Sequence, residues 1–168
     1  MFGEGPAEAA IVFVGEQPGD QEDRAGRPFV GPAGRLLDRA LAEAGIDRAR
    51  TYVTNAVKHF KFEPRGKKRL HKKPNAGEIK VCRRWLEGEL RALRPRVVVA
   101  LGATAAQSLA GRAIPVLSAR GEFLPLSNGL KMFVTVHPSS LLRMPSQSER
   151  EQGYARFVED LRRLSRIE

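Results

Sequence analysis

The sequence predicts a single three-layer α/β domain, a central four-stranded parallel sheet with helices on both faces. Three observations carry that expectation. Four short runs, at 11–14, 51–54, 97–101 and 132–136, are rich in β-branched residues and apolar on both faces, as buried parallel strands are. Helix-period segments separate them, and strand–helix alternation of this kind calls for right-handed crossovers over a parallel sheet. The length, 168 residues, suits one domain with a substantial core.

Each element has its own justification. Between the first two strands, residues 35–44 place Leu36, Leu37, Ala40, Leu41 and Ala44 on one helical face, and Gly45 stands where a helix stops. Residues 78–93 repeat the pattern with Ile79, Cys82, Leu86, Leu90 and Leu93, ended by Pro95. A shorter helix is expected at 103–110 and a closing one at 148–164. No internal repeat and no second domain is visible, so residues 1–168 read as one unit.

Composition narrows the class. Apolar residues make up 42% and charged residues 29%, a globular balance. No apolar run approaches the ~18–20 residues that span a bilayer, and the acidic start, with Glu4 and Glu8, does not read as a signal peptide. The lone Cys82 forms no internal disulfide and holds no Cys-based metal site by itself. A cytoplasmic monomer without membrane contact is the expectation.

The charge is concentrated. Lys and Arg number 29 against 19 Asp and Glu, and the stretch 58–73 holds eight cations and the single acid Glu63, which places seven of the ten net positive charges there. Such a run is either a solvated loop or a polyanion contact. Phe60 and Phe62 interleave with it, and aromatics among cations can stack bases while the cations follow a backbone, which favours nucleic acid.

Ligands of open α/β sheets bind beyond the carboxyl ends of the strands. There the sequence places Gly15-Glu16-Gln17-Pro18-Gly19-Asp20, Thr54-Asn55, Gly102-Ala103-Thr104 and His137-Pro138-Ser139-Ser140. Glu16 reads equally as a capping loop carboxylate or as a group that orients water and stabilises positive charge. His137 is a structural histidine or, beside Ser139, Ser140 and Arg143, a ligand contact. Asn55 offers an amide donor and acceptor for reading a base, and Phe29 reads as core before it reads as a stacking platform. His71 lies among Lys67, Lys68, Arg69, Lys72 and Lys73, like charges that favour a neutral, nucleophilic imidazole. On those grounds alone it remains an incidental loop residue. No Walker loop and no G-x-S-x-G elbow is present, which disfavours a nucleoside triphosphatase and a serine hydrolase.

Together these stretches resemble the uracil-DNA glycosylase superfamily, nearest its iron–sulfur-containing family 4 branch. The resemblance rests on Gly15-Glu16-Gln17-Pro18-Gly19, Gln21-Glu22-Asp23, the run 26–34 (GRPFVGPAG), Thr54-Asn55 and the run 137–143 (HPSSLLR), and it covers nearly the whole chain. Gln17, where most of family 4 has alanine, and the inserted basic loop at about 58–74 with Lys67-Lys68-Arg69-Leu70-His71 match the UdgX group, whose members excise uracil and become covalently joined to the DNA.

The resemblance implies roles. Phe29 stacks on a flipped uracil, Asn55 reads its edge, and Gln17 and Asp20 shape the pocket. His137 supports the departing base, and Glu16 orients water or polarises His71. His71 attacks the sugar C1′, reversing the bland reading of that residue. Lys67, Lys68, Arg69, Ser139 and Arg143 hold the loop and the DNA. The partner implied is uracil-containing DNA, preferably single-stranded, where a base leaves the stack most easily. The alternatives are a turnover glycosylase and a non-catalytic single-strand binding module. The family's [4Fe–4S] cluster uses a Cys-x-x-Cys pair that maps upstream of Met1, with His59 and Cys82 at the other two ligand positions. No cofactor is expected in this chain, and a cluster is expected only if that pair is restored.

Overall fold

A computed structural model describes residues 1–167. Its centre is a five-stranded sheet in the order β2-β1-β5-β7-β6, formed by β1 (Ile11–Gly15), β2 (Tyr52–Asn55), β5 (Val97–Leu101), β6 (Phe123–Pro125) and β7 (Lys131–Thr135). The first two, β5 and β7 run parallel, and β6 pairs antiparallel with β7 at the edge. The expected four-stranded parallel sheet is therefore corrected to a mixed five-stranded one. The added strand is three residues long and ends in Pro125, too short for a period-2 pattern and suited to an edge.

Side chains alternate across β1, β5 and β7. Ile11, Phe13, Val97, Val99 and Phe133 face α2 (Pro32–Ala44), α6 (Pro138–Leu142) and α7 (Gln147–Arg162). Val12, Val14, Val98, Ala100 and Val134 face α3 (Ala76–Leu93) and α4 (Ala103–Ala110). Both faces are covered, which is why these strands read as unbroken apolar runs. Phe13 and Phe133 are fully enclosed, each worth roughly 1.5–3 kcal/mol of burial. A short α1 (Asp20–Ala25) and α5 (Val116–Ala119) complete the helices. Among the described residues no helix is long and apolar enough to cross a membrane.

The basic stretch, expected as a loop, is largely a hairpin of β3 (Phe62–Arg65) and β4 (Lys68–His71), separate from the main sheet. Gly66 takes φ 60° at the first of two turn positions, where a two-residue hairpin loop asks for glycine. Sequence periodicity does not reveal it because most of its residues are exposed and both faces carry charge.

Lys58 is not part of that solvated surface. Its Nζ is buried against Glu89 of α3 and donates to Thr54 Oγ1 at 2.8 Å and to the Asn55 carbonyl at 2.7 Å. Glu89 also accepts from Tyr52 Oη at 2.7 Å and from the Gly3 amide at 2.8 Å. Burial pulls the Lys58 pKa down, with the Glu89 charge opposing it. Lys58→Met strands that carboxylate and is expected to cost about 3–5 kcal/mol in urea unfolding, whereas Lys58→Met/Glu89→Gln recovers most of the loss. A double variant as unstable as the single one would disprove the pairing argument.

Candidate active site

A cleft of about 990 Å³ opens at the carboxyl ends of β1, β2, β5 and β7. Gly15, the last residue of β1, organises its floor. A Cβ built there would lie 2.5 Å from Asn55 Oδ1, 2.7 Å from Phe29 Cζ and 3.4 Å from His137 Nε2. Three residues from three distant segments thus converge over one missing side chain.

Local sequence explains each placement. Asn55 ends β2, pairs in register with Gly15 and is 5% exposed. Phe29 sits in the loop between α1 and α2 at φ 55°, a left-handed backbone that is a genuine outlier for a bulky residue. Glu22 steadies this loop by accepting from the Gly31 amide at 2.7 Å, and the missing side chain of Gly34 lets the helix backbone meet Phe29. Phe29 and His137 stack with ring centroids 6.3 Å apart.

His137 caps α6. Its Nδ1 accepts from the Ser139 amide at 3.1 Å and lies 2.7 Å from Ser139 Oγ. An Nδ1 that accepts leaves the ring proton on Nε2, the nitrogen turned toward Gly15. Burial drives the His137 pKa down to about 4; Glu16 opposes the shift and Arg143 adds to it. From the ordinary imidazole value near 6.5 down to about 4, the unfolded chain binds a proton here and the folded chain does not. Stability is therefore lost as pH falls through this window. Against a His137→Gln variant, the wild type is expected to lose on the order of 2 kcal/mol more between about pH 7 and about 4.5. Equal losses in the two proteins would refute this.

Glu16 follows β1 and meets the hairpin. Its Oε2 accepts from Thr104 Oγ1 at 2.6 Å, and its Oε1 lies 3.1 Å from His71 Nε2. Thr104 belongs to the first turn of α4, where the helix dipole favours an anion. Burial pushes the Glu16 pKa up, but the His71 and Thr104 hydrogen bonds outweigh it and the net shift is downward. The carboxylate is ionised and its contacts fix its aim.

Two side chains hold the hairpin against the cleft. Gln17 donates to the Lys72 and Lys61 carbonyls at 3.1 and 3.3 Å and accepts from the Lys61 amide at 3.2 Å. Arg69 bonds Asp20 at 2.6 Å and Asp23 at 2.7 Å while lying over Phe60 and Phe62, 5.2 and 5.0 Å from their centroids. These two aromatics stack on each other and on Arg69. The register pairs Pro64 with Arg69 and Phe62 with His71, so Arg69 and His71 share the ribbon face turned to the body.

Glu16, Gln17, Asp20, Phe29, Asn55 and His71 all line the cleft, as do His137, Ser139 and Arg143. Lys67 and Lys68 lie outside it, exposed at the hairpin tip. Sequence reasoning missed Thr104 as a partner of Glu16; its position after Leu101-Gly102 at a strand end was the available signal. It also missed Leu117 and Leu142, 78% and 44% exposed on the cleft rim.

His59 is exposed and Cys82 is buried and free. These two fall short of the four ligands a cubane takes, and among the described residues no group of three His, Cys, Asp or Glu side chains is placed to hold a metal ion. The residues present do not fit a cluster.

An aromatic ring, an amide and a histidine bound this strand-end pocket, and a cationic hairpin stands at its mouth. The chain belongs to the uracil DNA glycosylase superfamily, whose family model matches residues 2–162, and within it to the type-4 group. It is 40% identical to the type-4 uracil-DNA glycosylase of Thermotoga maritima over 151 residues, covering 89% of this chain and 75% of that protein. The type-4 enzymes of Pyrobaculum aerophilum and Archaeoglobus fulgidus are 34% and 32% identical, over 92% and 95% of this chain and 80% of each relative.

Proposed function

We propose that the protein excises uracil from DNA, preferably single-stranded, and then joins itself to the abasic sugar through His71. Membership of the glycosylase family supports the excision. One observation carries the covalent step: His71 Nε2 lies 3.1 Å from the Glu16 carboxylate at the mouth of the base pocket, on a hairpin fixed by Arg69 and Gln17.

In this reading the uracil leaves the stack and enters between Phe29 and Asn55. Leu117 and Leu142, apolar and exposed on the rim, fill the space it vacates, as apolar wedges do at opened base steps. The C1′–N1 bond breaks and its electron pair departs with uracil as an anion. A hydrogen bond donated by the neutral His137 Nε2–H supports that anion. The Glu16 carboxylate stabilises the positive charge left on the sugar. The Nε2 proton of His71 then passes to Glu16 Oε1, and the freed lone pair forms a bond to C1′ where water would otherwise attack. An imidazole held in position competes with an effective molarity of roughly 10⁵–10⁸ M. The resulting C–N bond has no good leaving group, so the protein turns over once.

The test is a denaturing gel of the protein with single-stranded DNA bearing one uracil, beside a thymine control. A uracil-dependent band that survives heat and detergent is expected, in amounts limited by protein. Abasic product in excess of protein with no such band would replace this reading by the turnover glycosylase. Binding that ignores uracil and yields neither product would replace it by the single-strand binding module.

A further inference from the structure

The amino ends of the strands carry a second concavity, remote from the cleft. A groove of about 540 Å³ lies between the second half of α3, the end of α4 and the turn joining β6 to β7. Its floor is apolar: Leu86, Leu90, Leu109 and Leu126 line it. Its rim is cationic. Arg83 is paired with Glu87 at 2.9 Å, but Arg91 and Arg94 make no ion pair or side-chain hydrogen bond among the described residues.

A second, independent observation points to a ligand. Ser108 of α4 lines the groove, is 2% exposed, and its Oγ has no hydrogen-bond partner among the described residues. Buried hydroxyls are ordinarily satisfied, and a helical serine has the carbonyl four residues back within reach. Ser108 makes neither bond, so a donor and acceptor is held ready beside a leucine floor and two unpaired guanidiniums.

We propose that this groove docks an acidic peptide segment of a partner protein, one that pairs aspartate or glutamate with leucine or phenylalanine. The apolar floor takes the hydrophobic side chains, Arg91 and Arg94 take the carboxylates, and Ser108 bonds the peptide backbone or a carboxylate. Charge complementarity selects this occupant. A second copy of the chain brings its own net charge of +10 to a cationic rim. A nucleic-acid backbone leaves the leucine floor unmatched, because phosphate contacts draw on cations and donors rather than on apolar surface. The groove opens at the opposite end of the sheet from the cleft, so partner and DNA can be held at once. This assignment extends beyond the glycosylase reading and stands whatever His71 does.

The test uses the full chain, immobilised and exposed to an octapeptide pool drawing every position equally from Asp, Lys, Leu, Phe and Ser. Retained peptides that combine Asp with Leu or Phe are expected to be enriched about tenfold or more, the scale of a single well-made contact. Enrichment is expected to vanish on Arg91→Glu/Arg94→Glu, whose positions are exposed, and to persist on the hairpin variant Lys67→Glu/Lys68→Glu. An enriched peptide added to ¹⁵N-labelled protein is expected to shift the amides of Ser108, Leu109 and Asn128, and the groove variant is expected to act on uracil-containing DNA as the unaltered protein does, whichever product that is. Four results would overturn the proposal: no enrichment, enrichment of Asp regardless of apolar content, enrichment that survives Arg91→Glu/Arg94→Glu, or a thymine oligonucleotide that shifts the Ser108 amide instead.

Discussion

His71→Ser is expected to abolish the heat-stable adduct and to release abasic DNA in excess of protein. The imidazole is the hairpin group poised at Glu16 among the described residues, at 3.1 Å. Serine leaves a gap at that position large enough for water, while Glu16 keeps its 2.6 Å bond from Thr104. Asn55, Phe29 and His137 are untouched, so under the proposed mechanism base recognition and departure proceed. If His71 is the nucleophile proposed above, its loss is expected to lower adduct yield by about 10²-fold or more. Uracil release in a single turnover should stay near the wild-type rate. A variant that still forms the band would acquit His71, and one that releases no uracil would tie His71 to cleavage itself.

Gly15→Ala is expected to be the more damaging substitution despite adding one methyl group. The new Cβ would meet Asn55 Oδ1 at 2.5 Å and Phe29 Cζ at 2.7 Å. Gly15 belongs to a fully buried strand paired on both sides, so the backbone cannot retreat and the Asn55 and Phe29 side chains must. Displacing reacting or positioning groups by about 1 Å costs roughly 10²-fold in rate. Excision and adduct should therefore fall together, unlike the split expected for His71→Ser. Wild-type excision by Gly15→Ala would show that Asn55 and Phe29 do not hold the base.

Much of this architecture is legible before any coordinates. The strands at 97–101 and the helix at 103–110 coincide with the structure, and the other long elements differ by a few residues at their ends. Their sides are buried on both faces, so composition alone marks them. The polar residues at the strand ends follow from topology, and the cleft gathers them. What escaped has a common cause. The hairpin is stabilised by contacts to Gln17, Asp20 and Asp23 that lie tens of residues away, and its own residues show no apolar period. Lys58 looks like one cation among eight, and only the approach of Glu89, 31 positions on, makes it interior. Phe29 reads as core from its type, and it is indeed buried, but its left-handed backbone and its contact with His137 appear only in three dimensions.

The hairpin also sets how this chain can change over generations. Strand faces alternate with every residue, so inserting or deleting one residue between Gly66 and Arg69 would turn the imidazole away from Glu16 and Arg69 away from Asp20 in a single step. Substitution at the tip does nothing of the kind: Lys67 and Lys68 point to solvent and leave the register as it is. The ribbon therefore tolerates substitution at Lys67 and Lys68 but not a change in its count. Its length is the inherited quantity that keeps His71 facing Glu16.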